Sequence, residues 1–153
     1  MSWDVFIKKF DKQYKSVQDT PNNAKPLVLG KRSEIQNAIS KHFRGTDWTD
    51  PAWGIWSSKY GSIEFDISAD EEIVDITLHV RAKTPVVPMI IKLVRQNGWQ
   101  AIDSSSSVFL EQVNRPKVGL KKWLKFRKSI IKKFHSNGSL IFVFPGDNEQ
   151  SQQ

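Results

Sequence analysis

The sequence predicts an α+β fold of ferredoxin-like type. The expected order is β-α-β-β-α-β in a two-layer sandwich, an antiparallel sheet with two helices on one face, with a basic helix and a strand added at the C-terminus. Three observations predict it. Residues 61–81 alternate apolar and polar in two arms around an acidic turn. Apolar residues recur at helical spacing on either side of that hairpin. The charge is also divided unevenly, because the last quarter of the chain holds the whole cationic excess.

In the first arm of the hairpin Ile63, Phe65 and Ile67 alternate with Ser62, Glu64, Asp66 and Ser68. In the second, Val74, Ile76, Leu78 and Val80 alternate with Asp75, Thr77, His79 and Arg81. A period of two puts one face in a core and the other in water. Matching apolar to apolar across Ala69–Glu72 sets Phe65 opposite Ile76, Glu64 opposite Thr77, Ser62 opposite His79 and Asp66 opposite Asp75. A slip of one residue would bury the carboxylates, which specifies the face.

The remaining elements follow in order. Trp3–Phe10 reads as the first strand, with Trp3, Val5 and Ile7 on one side. A polar connection, Asp11–Pro26, leads to a helix in which Ile35, Ala38, Ile39, His42 and Phe43 share a face. Gly30 is its expected cap, because Lys31 stands where Ser or Thr would complete a capping box with Glu34, and Gly45 is its expected C′ residue. Thr46–Tyr60 reads as a loop turned at Asp50-Pro51, with Trp48, Trp53 and Trp56 folded inward to seal one end of the core. Thr84-Pro85 opens a second helix through Val86, Ile90, Leu93 and Val94, and Asn97-Gly98 ends it. Trp99–Ile102 is a fourth strand, Ser104–Ser107 a bend, and Val108–Leu110 its continuation.

One domain is expected over residues 1–146, comprising a core (1–113) and an appended helix plus strand (116–146), with 147–153 as a disordered tail. Residues 1–114 carry fourteen basic and fourteen acidic side chains; residues 115–153 carry nine and two. After Pro116, Leu120, Trp123, Leu124, Ile130, Ile131 and Phe134 form an apolar stripe on a helix. Lys121, Lys122, Lys125, Lys128, Lys132 and Lys133 take its other side. Leu140–Phe144 reads as a buried strand. The chain has no cysteine, no apolar run long enough for a membrane span and no signal-peptide layout, so a cytoplasmic protein is the expectation.

Five blocks carry a family resemblance: Leu29-Gly30-x-Arg32-x-Glu34, Asp47-Trp48-x-Asp50-Pro51-x-Trp53-Gly54, Gly61-Ser62-Ile63-Glu64-Phe65, Leu78-His79-Val80-Arg81 and Gly98-Trp99-x-Ala101-x-Asp103. With the Met-Ser-Trp-Asp opening, they make residues 1 to about 110 resemble an uncharacterised family of small bacterial proteins. The resemblance implies a bacterial, cytoplasmic, single-domain protein and assigns no activity. The residues after Pro116 lie outside it.

Three function classes follow. The first is a non-enzymatic binding protein, of the kind of an immunity protein that occludes the active site of a bacterial toxin. Its surface would be the outer hairpin face (Glu64, Asp66, Asp75, Thr77, His79, Arg81) or the cationic helix. The second is a nucleic-acid-binding module led by the six helix lysines, since nine cations without an acid between Arg115 and Lys133 attract a phosphate backbone. The third is a small enzyme at Asp47, Glu64 and His79, with Asp50 and Arg81 near them. Solvated hairpin residues and turn aspartates are the commoner meaning of that last pattern. The Asp66/Asp75 cluster calls for a positive answer, expected from the basic helix packed over it. No metal-ligand spacing, nucleophile elbow or phosphate loop is present, and no cofactor is expected.

Overall fold

Alternation in Trp3–Lys8 (β1) sends Trp3, Val5 and Ile7 into the core and Asp4 and Phe6 to the opposite face. The computed structural model describes residues 1–136 and places this strand inside a sheet of seven. The other elements are β2 (Gly30–Lys31), α1 (Arg32–His42), β3 (Asp47–Asp50), β4 (Trp53–Ser58), β5 (Gly61–Asp66), β6 (Glu72–Ile73), β7 (Ile76–Ala82), α2 (Val86–Asn97), β8 (Gln100–Asp103), β9 (Val108–Phe109) and α3 (Val118–Ser136). The sheet runs β3-β4-β5-β7-β1-β8-β9, while β2 and β6 form a separate ladder. Every pairing among the described strands is antiparallel. The fold is therefore α+β.

One face of the sheet is the core face. Val5, Ile7, Ile63, Phe65, Leu78 and Val80 cluster there with Ile35, Ile39 and Phe43 of α1 and with Val86, Ile90 and Leu93 of α2. Phe43 meets Trp56 and Phe65 edge-on, each at 5.1 Å between ring centroids. Such pairs add about 0.5–1.5 kcal/mol beyond the area they bury. Leu120 and Trp123 of α3 join the same cluster. A Cβ on Gly119 would collide with the Asp103 carboxylate and crowd the Trp3 indole nitrogen, so α3 begins tight against the end where β1 starts and β8 finishes. On the other face Phe6 and Ile55 stand exposed.

The structure corrects several expectations. The hairpin keeps its faces but is offset by two residues: Phe65 pairs with Leu78, Glu64 with His79, Ser62 with Arg81 and Asp66 with Thr77. An even offset preserves inside and outside, so alternation could not detect it. Its cause is the connection, where β6 leaves to pair with β2, burying Ile73 and exposing Val74. Asp66 therefore does not face Asp75. The basic helix does not cover that cluster either, because it packs at Trp3 and Asp103, the opposite end of the sheet.

Thr46–Tyr60 is not a loop but a strand pair, β3–β4. Of its three tryptophans Trp56 is in the core, Trp48 is half-buried with its N–H donated to Ser40 Oγ at 2.9 Å, and Trp53 lies on the outer face. The Asp50-Pro51 turn forms as expected, with Ala52 N donating to Asp50 Oδ1. Val108–Phe109 folds back on β8 as a separate strand and does not continue it. Lys31, not Gly30, caps α1, and its N–H donates to Glu34 at 2.9 Å. Phe43 closes that helix, with Gly45 at φ 84° two residues on. Pro85 caps α2, and Gly98 ends it at φ 70°. The expected strand 140–144 and tail 147–153 lie outside the described residues.

Candidate functional site

The outer face gathers its polar side chains by register. Successive pairings align Asp47 of β3, Ile55 of β4, Glu64 of β5, His79 of β7 and Asp4 of β1 in one row across five strands. Period-two alternation in each strand turns all of them away from the core. Asp4 and His79 meet at 3.0 Å between Oδ1 and Nδ1, and Ser2 Oγ donates to the same Asp4 oxygen. Arg81 bonds Glu64 Oε2 and donates through Nε to the Met1 carbonyl at 3.0 Å. Trp53 donates its indole N–H to Glu64 Oε1 at 3.1 Å and lies flat on His79, centroids 5.4 Å apart and planes 16° from parallel.

The charges tune one another. The hydrogen bond that His79 donates to Asp4 raises its pKa above the ordinary 6.5, partial burial works against it, and the charges of Asp4 and Glu64 help. For Asp4, burial alone would raise the carboxyl. Its bonds to His79 and Ser2 and the charges of His79 and Arg81 outweigh that and leave it below 3.8. The face thus pairs the Asp4 carboxylate with the His79 imidazole and the Glu64 carboxylate with the Arg81 guanidinium. Around them Phe6 and Ile55 stand 37% and 41% exposed.

Of the sequence candidates, Glu64, His79 and Arg81 are brought together. Asp47 shares their row but lies two strands from Glu64 with Ile55 between, roughly 10 Å on strand spacing. Its carboxylate accepts both the N–H and the hydroxyl of Thr49, which hold its pKa down. Asp50 is spent on the turn. Asp66 lies opposite Trp53 and Thr77 and accepts from the Ser68 amide, while Asp75 is exposed ahead of β7. Asp4, Ser2 and Trp53 complete the network and were not among the candidates. The alternation of Trp3–Lys8 already put Asp4 on an outer face; its partner depends on which strand lies next to β1.

The second surface is α3. Lys121, Lys122, Lys125, Lys128, Lys132 and Lys133 are all exposed, whereas Leu120 and Trp123 are buried and Leu124, Ile130 and Ile131 half-buried. The Arg127 guanidinium lies over the Trp123 ring at 5.7 Å. At the head of the helix a hollow of about 500 Å³ is lined by Arg115, Lys117, Lys121 and Lys122 with Asn114. A smaller groove, about 310 Å³, joins Lys122 and Phe126 of the helix to Ser2, Asp4 and Ser104 of the sheet. No group of acidic or imidazole side chains among the described residues is arranged to hold a metal ion. No described helix is long and apolar enough to cross a membrane.

Compared with known proteins, the chain matches no family model, no curated protein and no solved structure.

Proposed function

We propose that this is a non-enzymatic binding protein that recognises a protein partner with the outer face of its sheet. The carrying observation is that the charges on that face are already paired. Asp4 is held by His79 and Glu64 by Arg81, while Phe6, Ile55 and Trp53 offer apolar and aromatic area beside them. A partner can cover such a face without stranding a charge, the condition that makes buried ion pairs tolerable at an interface. Aromatic and arginine side chains at the centre of such a patch are the usual anchors of binding energy.

Within that reading the protein is a bacterial, cytoplasmic immunity protein that occludes a toxin's active site, and residues 1 to about 110 belong with the small bacterial proteins they resemble. The fold is the ferredoxin-like arrangement extended at both edges. The order β5-β7-β1-β8, flanked by β3–β4 on one side and β9 on the other, supports this. The test is co-expression with the product of the adjacent upstream gene. A complex that survives gel filtration and is lost in Phe6→Ala/Ile55→Ala is expected. No complex and no protection from that product, or a complex indifferent to both substitutions, would overturn the proposal.

A second reading, a small enzyme at Glu64 and His79, is favoured by one contact. Asp4 holds His79 by Nδ1, as a carboxylate orients a catalytic imidazole. It requires Asp4→Asn to abolish a turnover that Phe6→Ala/Ile55→Ala leaves intact.

A further inference from the structure

We infer that α3 is a second binding surface, independent of the sheet face, and that its occupant is a single strand of nucleic acid. At 100° per residue, Lys121, Lys125, Lys128 and Lys132, continued by Lys117 immediately ahead of the helix, fall within about 80° of one another around its axis. They form one straight row about 22 Å long, with axial steps of about 4.5–6 Å. All but the half-buried Lys117 are exposed. No acidic residue lies between Gln112 and Lys133, so nothing on this segment answers the row.

The opposite side of the helix is committed. Leu120 and Trp123 are buried in the domain core, which turns the row outward. That packing distinguishes α3 from a membrane-surface helix, whose apolar side would be needed for lipid. The row begins at the hollow lined by Arg115, Lys117, Lys121 and Lys122, where cations surround a space of about 500 Å³. A single line of charges suits one phosphate backbone. A duplex would set two backbones on either side of the helix.

The test is fluorescence anisotropy of the full chain with labelled oligo(dT) and oligo(U) of about 20 nucleotides, titrated at several salt concentrations. Affinity is expected to fall with salt at a log–log slope of about −3 to −4, near 0.7 for each of five phosphates neutralised. Lys121→Gln/Lys125→Gln/Lys128→Gln should weaken binding at least tenfold and make the slope shallower by about 2. The same charge removed at Lys15, Lys25 and Lys41, all exposed elsewhere, should leave both within about twofold. All six positions are surface lysines, and circular dichroism checks that each variant folds. Phe6→Ala/Ile55→Ala should bind as the parent does. The proposal is overturned by absent or salt-independent binding, by equal losses in the two triple variants, by a duplex of the same length binding more tightly, or by vesicles of phosphatidylserine competing through the same lysines.

Discussion

Trp53 lies parallel on His79, 16° from coplanar with centroids 5.4 Å apart, while its own N–H is held by Glu64 Oε1 at 3.1 Å. One ring thus spans β4, β5 and β7 and ties the two charge pairs of the outer face into one unit.

Removing that ring tests whether it organises the face. Trp53→Ala loses the stack and the bond to Glu64, and is expected to cost about 1–2 kcal/mol in urea denaturation. Trp53→Phe keeps an aromatic face without the N–H and should recover roughly half. An unchanged unfolding midpoint in Trp53→Ala would make the ring a bystander.

The Asp4–His79 pair sets a pH window. The His79 value is raised, so the stability its cationic form gains is full below 6.5 and disappears as pH climbs through the folded-state value. The Asp4 value is lowered, so its share is full above 3.8 and disappears as pH falls through its own folded-state value. Both are present between about pH 4 and 6.5. NMR titration of the His79 imidazole should give a midpoint above 6.5 in the parent and a lower one in Asp4→Asn. Identical midpoints would show that Asp4 does not hold the proton there.

Gly119 offers a test with an inverted sign. Gly to Ala inside a helix ordinarily stabilises by about 1 kcal/mol. Here the added carbon meets the Asp103 carboxylate, which already accepts the Trp3 indole N–H and the Ser105 amide and hydroxyl. Gly119→Ala is therefore expected to destabilise by about 1–3 kcal/mol, as overpacking does. A raised melting temperature would refute the close seating of α3.

Glu111 closes the far edge. Its two oxygens accept the Ala101 amide at 2.8 Å and the Gln100 side-chain amide at 2.9 Å, both buried. Glu111→Ala leaves the Ala101 amide without its acceptor and the Gln100 side-chain amide with the Tyr14 carbonyl alone, and should cost about 1–3 kcal/mol. Hydrogen exchange at Ala101 should accelerate; protection equal to the parent's would mean another acceptor takes over.

Local periodicity carried much of this structure into the sequence. Inside and outside were legible in β1, β5 and β7 because alternation needs no knowledge of a neighbour. Both core helices and the lysine side of α3 were legible for the same reason. The register was not, since it depends on β6 meeting β2, about forty residues away along the chain. Strand β4 was hidden because Trp53 and Ile55 on one side and Trp56 on the other are all large and apolar, which erases the alternating signal. Of the outer network, Glu64, His79 and Arg81 could be nominated from a hairpin alone. Asp4 could not be joined to them until the order of strands in space was known.

The N-terminal strand lies between partners synthesised much later: Trp3 pairs with Val80, and Val5 with both Leu78 and Asp103. Such distant pairings are entropically expensive to close, and topologies built on them fold in milliseconds to seconds, not microseconds. During synthesis Trp3, Val5 and Ile7 must wait, exposed, until Asp103 has followed them out of the ribosome. Nascent chains of this protein should therefore depend on a chaperone up to residue 103 and cease to depend on it soon afterwards.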